Sequence, residues 1–259
     1  MKILLVIDQF DNGNNGTTIS ARRFADALKK RGHEISVVST GHPSSNKYVV
    51  KKLPLPIIAS KIVKSQGMAF AIPNKKVLTE AIEHSDIVHF YTPFGLSTHG
   101  LKIAQELGVP HTAAFHVQPE NITYTIGLGT NTTVNDKIYY FYRDKFYNKI
   151  DHIHCPSNFI ANELKQHGYT SNLHVISNGV SEDFHYMKSN KTEDLKDKFI
   201  ITMIGRLSNE KRQDVIIDAI CKSKYESKIQ LFLAGNGPNK KKYTEARKKI
   251  DQSSYYPVF

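Results

Sequence analysis

Residues 199–211, FIITMIGRLSNEK, decide how this sequence is interpreted. The first six residues form an apolar, mostly β-branched run of strand length, and Gly205 ends it. Such a run is typical of a buried parallel strand, and ligands of open α/β sheets bind at the carboxyl ends of these strands. Arg206 and Lys211 follow on one short polar loop. The stretch therefore predicts an anion site, although a solvated charged turn has the same composition.

A diphosphate is the anion that suits these two cations. The guanidinium of Arg206 can fork two phosphate oxygens, while Lys211 supplies a point charge. A helix pattern from Asp214 to Lys222 comes next, and its N-terminal amide groups would point at the same place. We interpret the loop as a diphosphate clamp.

The preceding part of the chain alternates strands with helices. An apolar strand at 2–8, an amphipathic helix at 17–31 and a strand at 34–40 have the spacing of a βαβ unit. The same alternation continues through strands at 86–92, 111–117, 151–156 and 173–177. The fold class expected is α/β, with a doubly wound, Rossmann-like parallel sheet over residues 1–181.

A polar, charged stretch separates this domain from the next. Residues 182–198 lack an apolar period, so they are interpreted as a linker. The second domain, 199–259, then contains two strand patterns and two helix patterns, and its last nine residues are judged too short to add an element. It is expected to be only part of a second Rossmann-like domain.

The charge of the chain favours anionic partners. The 259 residues carry a formal net charge of +11, and no run of eighteen apolar residues occurs. Nucleic acid is not expected as a partner, because no helix-turn-helix, zinc-finger or aromatic RNA-binding motif is present. A cytoplasmic protein is expected. The basic amphipathic segment around Ile57 to Lys64 would allow peripheral contact with an anionic inner membrane face, but a helix packed on its own domain is the simpler interpretation.

Three more segments of the first domain are candidates for ligand contact. The loop from Gln9 to Gly16 is rich in Gly and Asn, and Gly16 would let the backbone approach a ligand at a helix start. His116 ends an apolar strand, as does His89. Glu120 follows closely and would either orient an acceptor hydroxyl or cap a nearby helix.

Taken in order, these motifs resemble the retaining GT-B glycosyltransferases of family four (glycosyl transferases group 1). Gly205-Arg206-Leu207-Ser208 with Glu210-Lys211 is similar to the donor-phosphate motif of that family, and Gly235-Asn236-Gly237-Pro238 is similar to its second glycine loop. His116 matches the strand-end histidine that contacts the transferred sugar. This chain departs from the paired-glycine loop of the family, since Asn15 stands where the first glycine of the pair would be.

The resemblance implies transfer of a hexosyl unit from a nucleotide-sugar, expected to be a UDP-sugar, to a lipid or glycan acceptor with retention. His116 would be catalytic; Gly16, Arg206, Lys211, Gly235 and Gly237 would bind the donor; Asn15 and Glu120 would lie on the acceptor side. No metal or other cofactor is expected, because no Asp-x-Asp occurs and the cations of the loop would neutralise the leaving diphosphate.

The match stops before the end of the family pattern. A pair of glutamates that contact the donor sugar and the ribose, and a closing helix, have no counterpart here. A truncated C-terminal domain is therefore expected, with little or no activity of the chain alone. The alternative is a non-catalytic, acceptor-binding half of a split transferase.

Overall fold

A computed structural model describes residues 1–11, 15–57, 59–60, 63, 67–125, 128, 131–188, 190–247 and 255–258 of the protein. The chain forms two compact units, Met1–Gly179 and Val180–Phe259. This division falls two residues before the predicted boundary at residue 181.

The first unit is built on a parallel sheet. Its strands are β1 (Lys2–Gln9), β2 (Glu34–Thr40), β3 (Lys47–Val49), β4 (Ile87–Phe90), β5 (His111–Ala114), β6 (His152–Cys155) and β7 (Asn172–Val175). They form one seven-stranded sheet in the order β3-β2-β1-β4-β5-β6-β7, with every pair parallel. The α-helices described in this unit are α1 (Gly16–Lys30), α2 (Lys75–Glu83), α3 (Gly95–Glu106), α4 (Pro119–Thr125), α5 (Thr132–Lys145) and α6 (Asn158–Gln166).

Helices cover both faces of this sheet. Successive side chains of β1 point to opposite faces, so Leu4 and Val6 belong to one buried cluster while Leu5 and Ile7 belong to another. The first cluster includes residues of α2, α3, α5 and α6, and the second includes Ala21 and Ala25 of α1. The prediction of a doubly wound α/β domain is confirmed.

Local boundaries differ from the sequence pattern in three places. β3 lies within residues 44–76, which the sequence predicts to be irregular because prolines interrupt them, but three residues suffice for an edge strand. The predicted strand 111–117 ends at Ala114, so His116 lies beyond it on a loop. The spacing of Val134, Ile138 and Phe141 predicts a helix that runs to Ile150, but α5 ends at Lys145 and a 3-10 turn, Tyr147–Lys149, follows it.

The sheet reverses its strand order between β1 and β4, and Asp8 lies at that point. Its Oδ2 accepts a hydrogen bond of 2.7 Å from Thr92 Oγ1, just beyond β4, and its Oδ1 accepts one of 2.9 Å from the amide of Ala71. The backbone oxygen of Asp8 accepts a third, of 2.7 Å, from Thr40 Oγ1 at the end of β2. One buried residue thus ties together the carboxyl ends of the strands where ligands of such sheets bind.

The second unit contains a smaller parallel sheet. Its strands are β8 (Phe199–Ile204), β9 (Ile229–Ala234) and β10 (Tyr255–Val258), in the order β10-β9-β8, and its described α-helices are α7 (Gln213–Cys221) and α8 (Lys240–Arg247). Leu231 and Leu233 of β9 pack with Ile220 of α7 and Tyr243 of α8. The expectation that the last nine residues add no element is wrong. A four-residue edge strand tolerates Pro257 because an edge position leaves one side of the strand unpaired.

Two predicted segments have little regular structure to report. Residues 182–198 hold one 3-10 turn, Glu193–Leu195, and neither an α-helix nor a strand in their described part. Half of the residues from Ile57 to Lys64, in the basic amphipathic segment, fall outside the described residues. None of the helices in the described part of the chain has the length and hydrophobicity needed to cross a membrane.

We expect the two changes Asp8→Ala and Asp8→Asn to differ in stability. Burial raises the pKa of Asp8, against the lowering effect of the hydrogen bonds from Ala71 and Thr92. The part of the folding stability that comes from protonation of Asp8 is therefore present at low pH and lost as pH rises through its raised folded-state pKa, whereas its hydrogen bonds from Ala71 and Thr92 remain. Asp8→Ala should cost about 1–3 kcal/mol, because the Ala71 amide and the Thr92 hydroxyl lose their acceptor.

Asp8→Asn is the matched control. Its amide accepts from Ala71, donates to Thr92 Oγ1 and removes the buried charge, so at pH 7 it should be at least as stable as the wild type. Urea unfolding at pH 7 measures both variants. Equal destabilisation by Asn and Ala would contradict this account of Asp8.

Candidate active site

Asn15 joins the loop after β1 to a second loop. Its Oδ1 caps α1 by accepting from the amide of Thr18 at 2.8 Å, and its Nδ2 donates to the backbone oxygen of Gly67 at 2.6 Å. Asn15 therefore has a structural role at the position predicted to face an acceptor.

Gly16 is the first residue of α1, and the fold itself does not require a glycine there. A Cβ at this position would have no described heavy atom within 4 Å. The space beside the helix start is open, as close approach of a ligand to the backbone would need. Gly13, another glycine of this loop, lies outside the described residues.

A cavity of about 460 Å³ opens beside the same loop, and Asp11 is held on its wall. Asp11 accepts from Lys47 Nζ at 2.5 Å and from the amide of His42 at 2.7 Å. Burial would raise the pKa of Asp11, but these two contacts bring it below its ordinary value. The Lys47 side chain is only 4% exposed and that of Asp11 is 35% exposed, so a fixed, ionised carboxylate faces the cavity.

His116 belongs to a row of rings that crosses the carboxyl edge of the sheet. Its ring stacks on Tyr91, with centroids 5.5 Å apart and an interplanar angle of 9°, and lies 5.5 Å from His154 on the other side. Tyr91 in turn lies 4.9 Å from His89, whose Nδ1 is 2.7 Å from Thr112 Oγ1. These contacts place the His116 ring against strands on both sides.

The imidazoles of the buried His89 and the half-buried His116 are both held neutral. Burial, followed by the nearby His154, lowers the pKa of His116 to about 4, and burial with His116 and His154 lowers that of His89 to about 3. The Nε2 atom of each ring is buried without a hydrogen-bond partner in the described part of the chain. At neutral pH His116 is thus a hydrogen-bonding group and not a cation.

Glu120 is not the helix cap that one interpretation expected. It is the second residue of α4, whereas a capping side chain precedes the helix. One carboxylate oxygen accepts from the Tyr139 hydroxyl at 3.2 Å. Its position in the first turn is still favourable, because the N-terminal end of a helix attracts negative charge.

In the second unit, Arg206 and Lys211 lie on the loop after β8, as predicted. Arg206 Nη1 is 3.5 Å from Glu210 Oε1, and Ser208 Oγ donates to the same oxygen at 2.5 Å. Lys211 ends the 3-10 turn Asn209–Lys211 and is exposed. The loop therefore presents two cations, of which Arg206 is ordered by a carboxylate.

Gly235 and Gly237 pack the second glycine loop directly against the Arg206 loop. A Cβ at Gly235, whose φ is +146°, would overlap the carbonyl of Gly205, and a Cβ at Gly237 would overlap the backbone of Leu207. Hydrogen bonds join the same segments, from the amide of Gly205 to Ala234 O at 2.9 Å and from that of Leu207 to Asn236 O at 3.0 Å. A Gly-x-Gly-Pro sequence is also typical of a tight turn, but these contacts give both glycines a further structural role in packing the two loops together.

The start of α7 supports the same loop. The helix begins at Gln213, one residue before the predicted start, and Arg212 precedes it in the left-handed conformation with φ +52°. Gln213 is buried, and its Nε2 donates to the backbone oxygen of Arg206 at 2.8 Å.

The candidates lie in loops and helix starts that follow strands, but sequence reasoning missed their partners. Asn15, Gly16, His116 and Glu120 lie in the first unit, and Arg206, Lys211, Gly235 and Gly237 lie in the second. The missed partners are Gly67 for Asn15, Tyr91 and His154 for His116, and Glu210 for Arg206. Only Glu210 had a usable signal, since a carboxylate four residues after an arginine can pair with it. Within the described ranges, no group of three or more His, Cys, Asp or Glu side chains could hold a metal ion.

Two family models match the chain. "Glycosyltransferase Family 4" matches residues 14–184, and "Glycosyl transferases group 1" matches residues 187–253. An alpha-monoglucosyldiacylglycerol synthase of Streptococcus pneumoniae is 25% identical over 254 residues, covering 92% of this chain and 56% of the relative. A GDP-mannose-dependent alpha-mannosyltransferase of Corynebacterium glutamicum is 24% identical over 250 residues, covering 93% and 59%. The chain thus spans less than two thirds of the length of these relatives.

Solved structures show the same fold. HepE of Anabaena, crystallised with UDP and glucose, superposes with a TM-score of 0.63 at 13% identity, covering 100% of this chain and 70% of HepE. TarM superposes with a TM-score of 0.66 at 12% identity, covering 99% and 76%. At these identities the likeness is one of fold.

The close packing at Gly235 predicts a large difference between two glycine substitutions. Gly235→Ala should destabilise the second unit by about 1–3 kcal/mol, because its Cβ meets the Gly205 backbone and its φ is unfavourable for alanine. Gly16→Ala is the control and should be neutral or slightly stabilising, since alanine favours helices and finds open space there. Thermal unfolding compares them; similar midpoints would show that the two loops are not packed in this way.

The lowered imidazole pKa values predict a loss of stability in acid. The contribution of His116 is complete above the unfolded pKa of about 6.5 and is lost progressively as pH falls toward about 4, because only the unfolded chain takes up the proton in that range. His116→Gln should therefore reduce the loss of unfolding free energy between pH 7 and pH 5 by about 2 kcal/mol.

His99→Gln, which replaces an exposed histidine of α3, is the control. Urea titrations of the wild type and both variants at the two pH values give the six free energies needed. An unchanged loss in His116→Gln would mean that His116 is not held neutral in the folded protein.

Proposed function

This chain belongs to glycosyltransferase family 4, and we propose that it takes part in transfer of a hexosyl unit from a nucleotide-sugar to a lipid or glycan acceptor, with retention of configuration. The observation that carries the proposal is the loop after β8. It presents Arg206 and Lys211 next to a glycine loop whose backbone packs against it. Two cations at the carboxyl end of a parallel strand suit a diphosphate.

We propose a uridine diphosphate sugar as donor. HepE, which has this fold, was crystallised with UDP and glucose. The name of the Corynebacterium glutamicum relative specifies GDP-mannose, so GDP is the alternative that binding experiments must compare.

The proposed chemistry needs charge neutralisation at the leaving group. The bond between the anomeric carbon and the diphosphate oxygen breaks with its electron pair on the diphosphate, where Arg206 and Lys211 balance the growing charge. The acceptor oxygen then bonds to the anomeric carbon from the face that the diphosphate leaves, and its proton passes to a phosphate oxygen. A metal ion is not needed for this step, because the two side chains supply the positive charge.

His116 is proposed to contact the transferred sugar. A neutral imidazole can hydrogen-bond a sugar hydroxyl, whereas a residue with a pKa of about 4 would be a poor proton donor at neutral pH. Gly16, with open space beside it, would admit the donor close to the start of α1.

The acceptor is proposed to lie against the first unit, beside Asn15 and Glu120. The name of the pneumococcal relative specifies a glucosylated diacylglycerol, which makes a lipid acceptor a concrete candidate. A net charge of +11 would favour work at an anionic membrane surface, and we propose the inner face.

Arg206→Ala should weaken UDP binding much more than uridine binding, because the lost contact is to phosphate. Loss of a charged hydrogen bond of this kind costs about 1.5–3 kcal/mol, or about ten- to a hundredfold in Kd. Arg212→Ala is the control, since this neighbouring arginine is paired with Asp214 at 3.4 Å. Titration calorimetry with UDP, GDP and uridine measures these affinities.

The same titrations with and without a chelator test whether UDP binding requires a metal ion. UDP binding should be unchanged by the chelator and should weaken with added salt. Loss of binding in the chelator, or equal effects of the two arginine variants, would overturn the assignment of the clamp.

A further inference from the structure

The Arg206 loop contains a carboxylate that the proposed chemistry does not use. Glu210 Oε1 accepts from Ser208 Oγ at 2.5 Å and lies 3.5 Å from Arg206 Nη1. The side chains of Glu210 and Arg206 are 11% and 21% exposed, so this contact is largely shielded from water. A negative charge beside an anion site would by itself weaken anion binding.

The main chain around Arg206 is already fixed from two sides. Gln213 Nε2 donates to Arg206 O at 2.8 Å, the amide of Leu207 donates to Asn236 O at 3.0 Å, and the amide of Asn239 donates to Leu207 O at 2.9 Å. These bonds hold the backbone but leave the long Arg206 side chain to be oriented separately.

Ser208 restrains Glu210 so that Glu210 can orient the Arg206 side chain. It is a buried residue two positions from each partner, and its hydroxyl restrains the same oxygen that faces the guanidinium. A carboxylate oxygen that is restrained in this way can fix one edge of the planar guanidinium. A mobile glutamate on the surface cannot do so, because its own side chain is not fixed.

We propose that Glu210 is a positioning residue, which orients the Arg206 guanidinium for a diphosphate before the ligand binds. The inference rests on the proposed function of the loop. If the Arg206 side chain is already ordered, binding does not have to supply the entropic cost of immobilising it. This gain outweighs the repulsion between the Glu210 carboxylate and the phosphates. Positioning and simple repulsion therefore predict opposite effects when Glu210 is removed.

The decisive comparison is between Glu210→Ala and Glu210→Gln. Glu210→Ala removes the acceptor and should weaken UDP binding about three- to tenfold, although it also removes a negative charge. Glu210→Gln keeps an acceptor oxygen for Ser208 and Arg206 without the charge, so UDP should bind within about twofold of the wild type or more tightly. Uridine binding should not change in either variant.

Two further variants serve as controls. Asp214→Ala also removes a carboxylate paired with an arginine of this unit, and UDP binding should not weaken. Ser208→Ala frees Glu210 from its restraint and should weaken UDP binding less than Glu210→Ala, which provides a second test if the latter variant folds poorly.

The order of the guanidinium can be measured without any ligand. Nitrogen-15 relaxation of the Arg206 Nε–H group should show a rigid side chain in the full-length wild type and in Glu210→Gln, and a mobile one in Glu210→Ala. If the wild type binds no UDP while this pattern holds, the proposed function fails and the positioning role remains. Unchanged or tighter UDP binding in Glu210→Ala, equal weakening in both variants, or equal mobility in all three proteins would overturn the inference.

Discussion

A desolvated carboxylate at the point where the strand order reverses is the interaction on which the first unit depends. The carboxylate of Asp8 binds Thr92 after β4 and the amide of Ala71, its backbone oxygen binds Thr40 at the end of β2, and the site is one where an ionised group is costly. The cost is offset because the hydrogen-bonding groups around it would otherwise lack partners. The carboxyl ends of neighbouring strands are thereby held in register, and the ligand-facing loops start from fixed points.

In the second unit, the main chain fixes the loops that follow the strands. Gly235 and Gly237 have no side chains, so the loop after β9 can lie directly on the loop after β8 and bond to it through amides and carbonyls. Rigid backbone leaves only side-chain placement to be settled. In the second unit, a restrained carboxylate orients the side chain of Arg206. In the first unit, burial and ring stacking orient that of His116.

Sequence patterns predicted the long elements well and the short ones poorly. Strands such as β1 and β8 carry enough apolar residues to be recognised from one sequence, and the clamp residues could be found because they directly follow a strand. Strands β3 and β10 were missed, since three or four residues at a sheet edge have no distinguishing period. Glu120 was assigned as a cap in one interpretation because the helix start near Pro119 could not be placed to a single residue.

The sequence by itself determined the α/β class, the order of strands and helices, and the residue types at the carboxyl ends of the strands, because hydrophobic period and glycine position are local properties of the chain. Tertiary structure alone decided that His116 is neutral, that Asn15 ties two loops together and that Gly235 lies on Gly205. Each of these depends on which distant segments meet and how much water they exclude. Burial and hydrogen-bond partners are properties of the packed chain and have no local signal in the sequence.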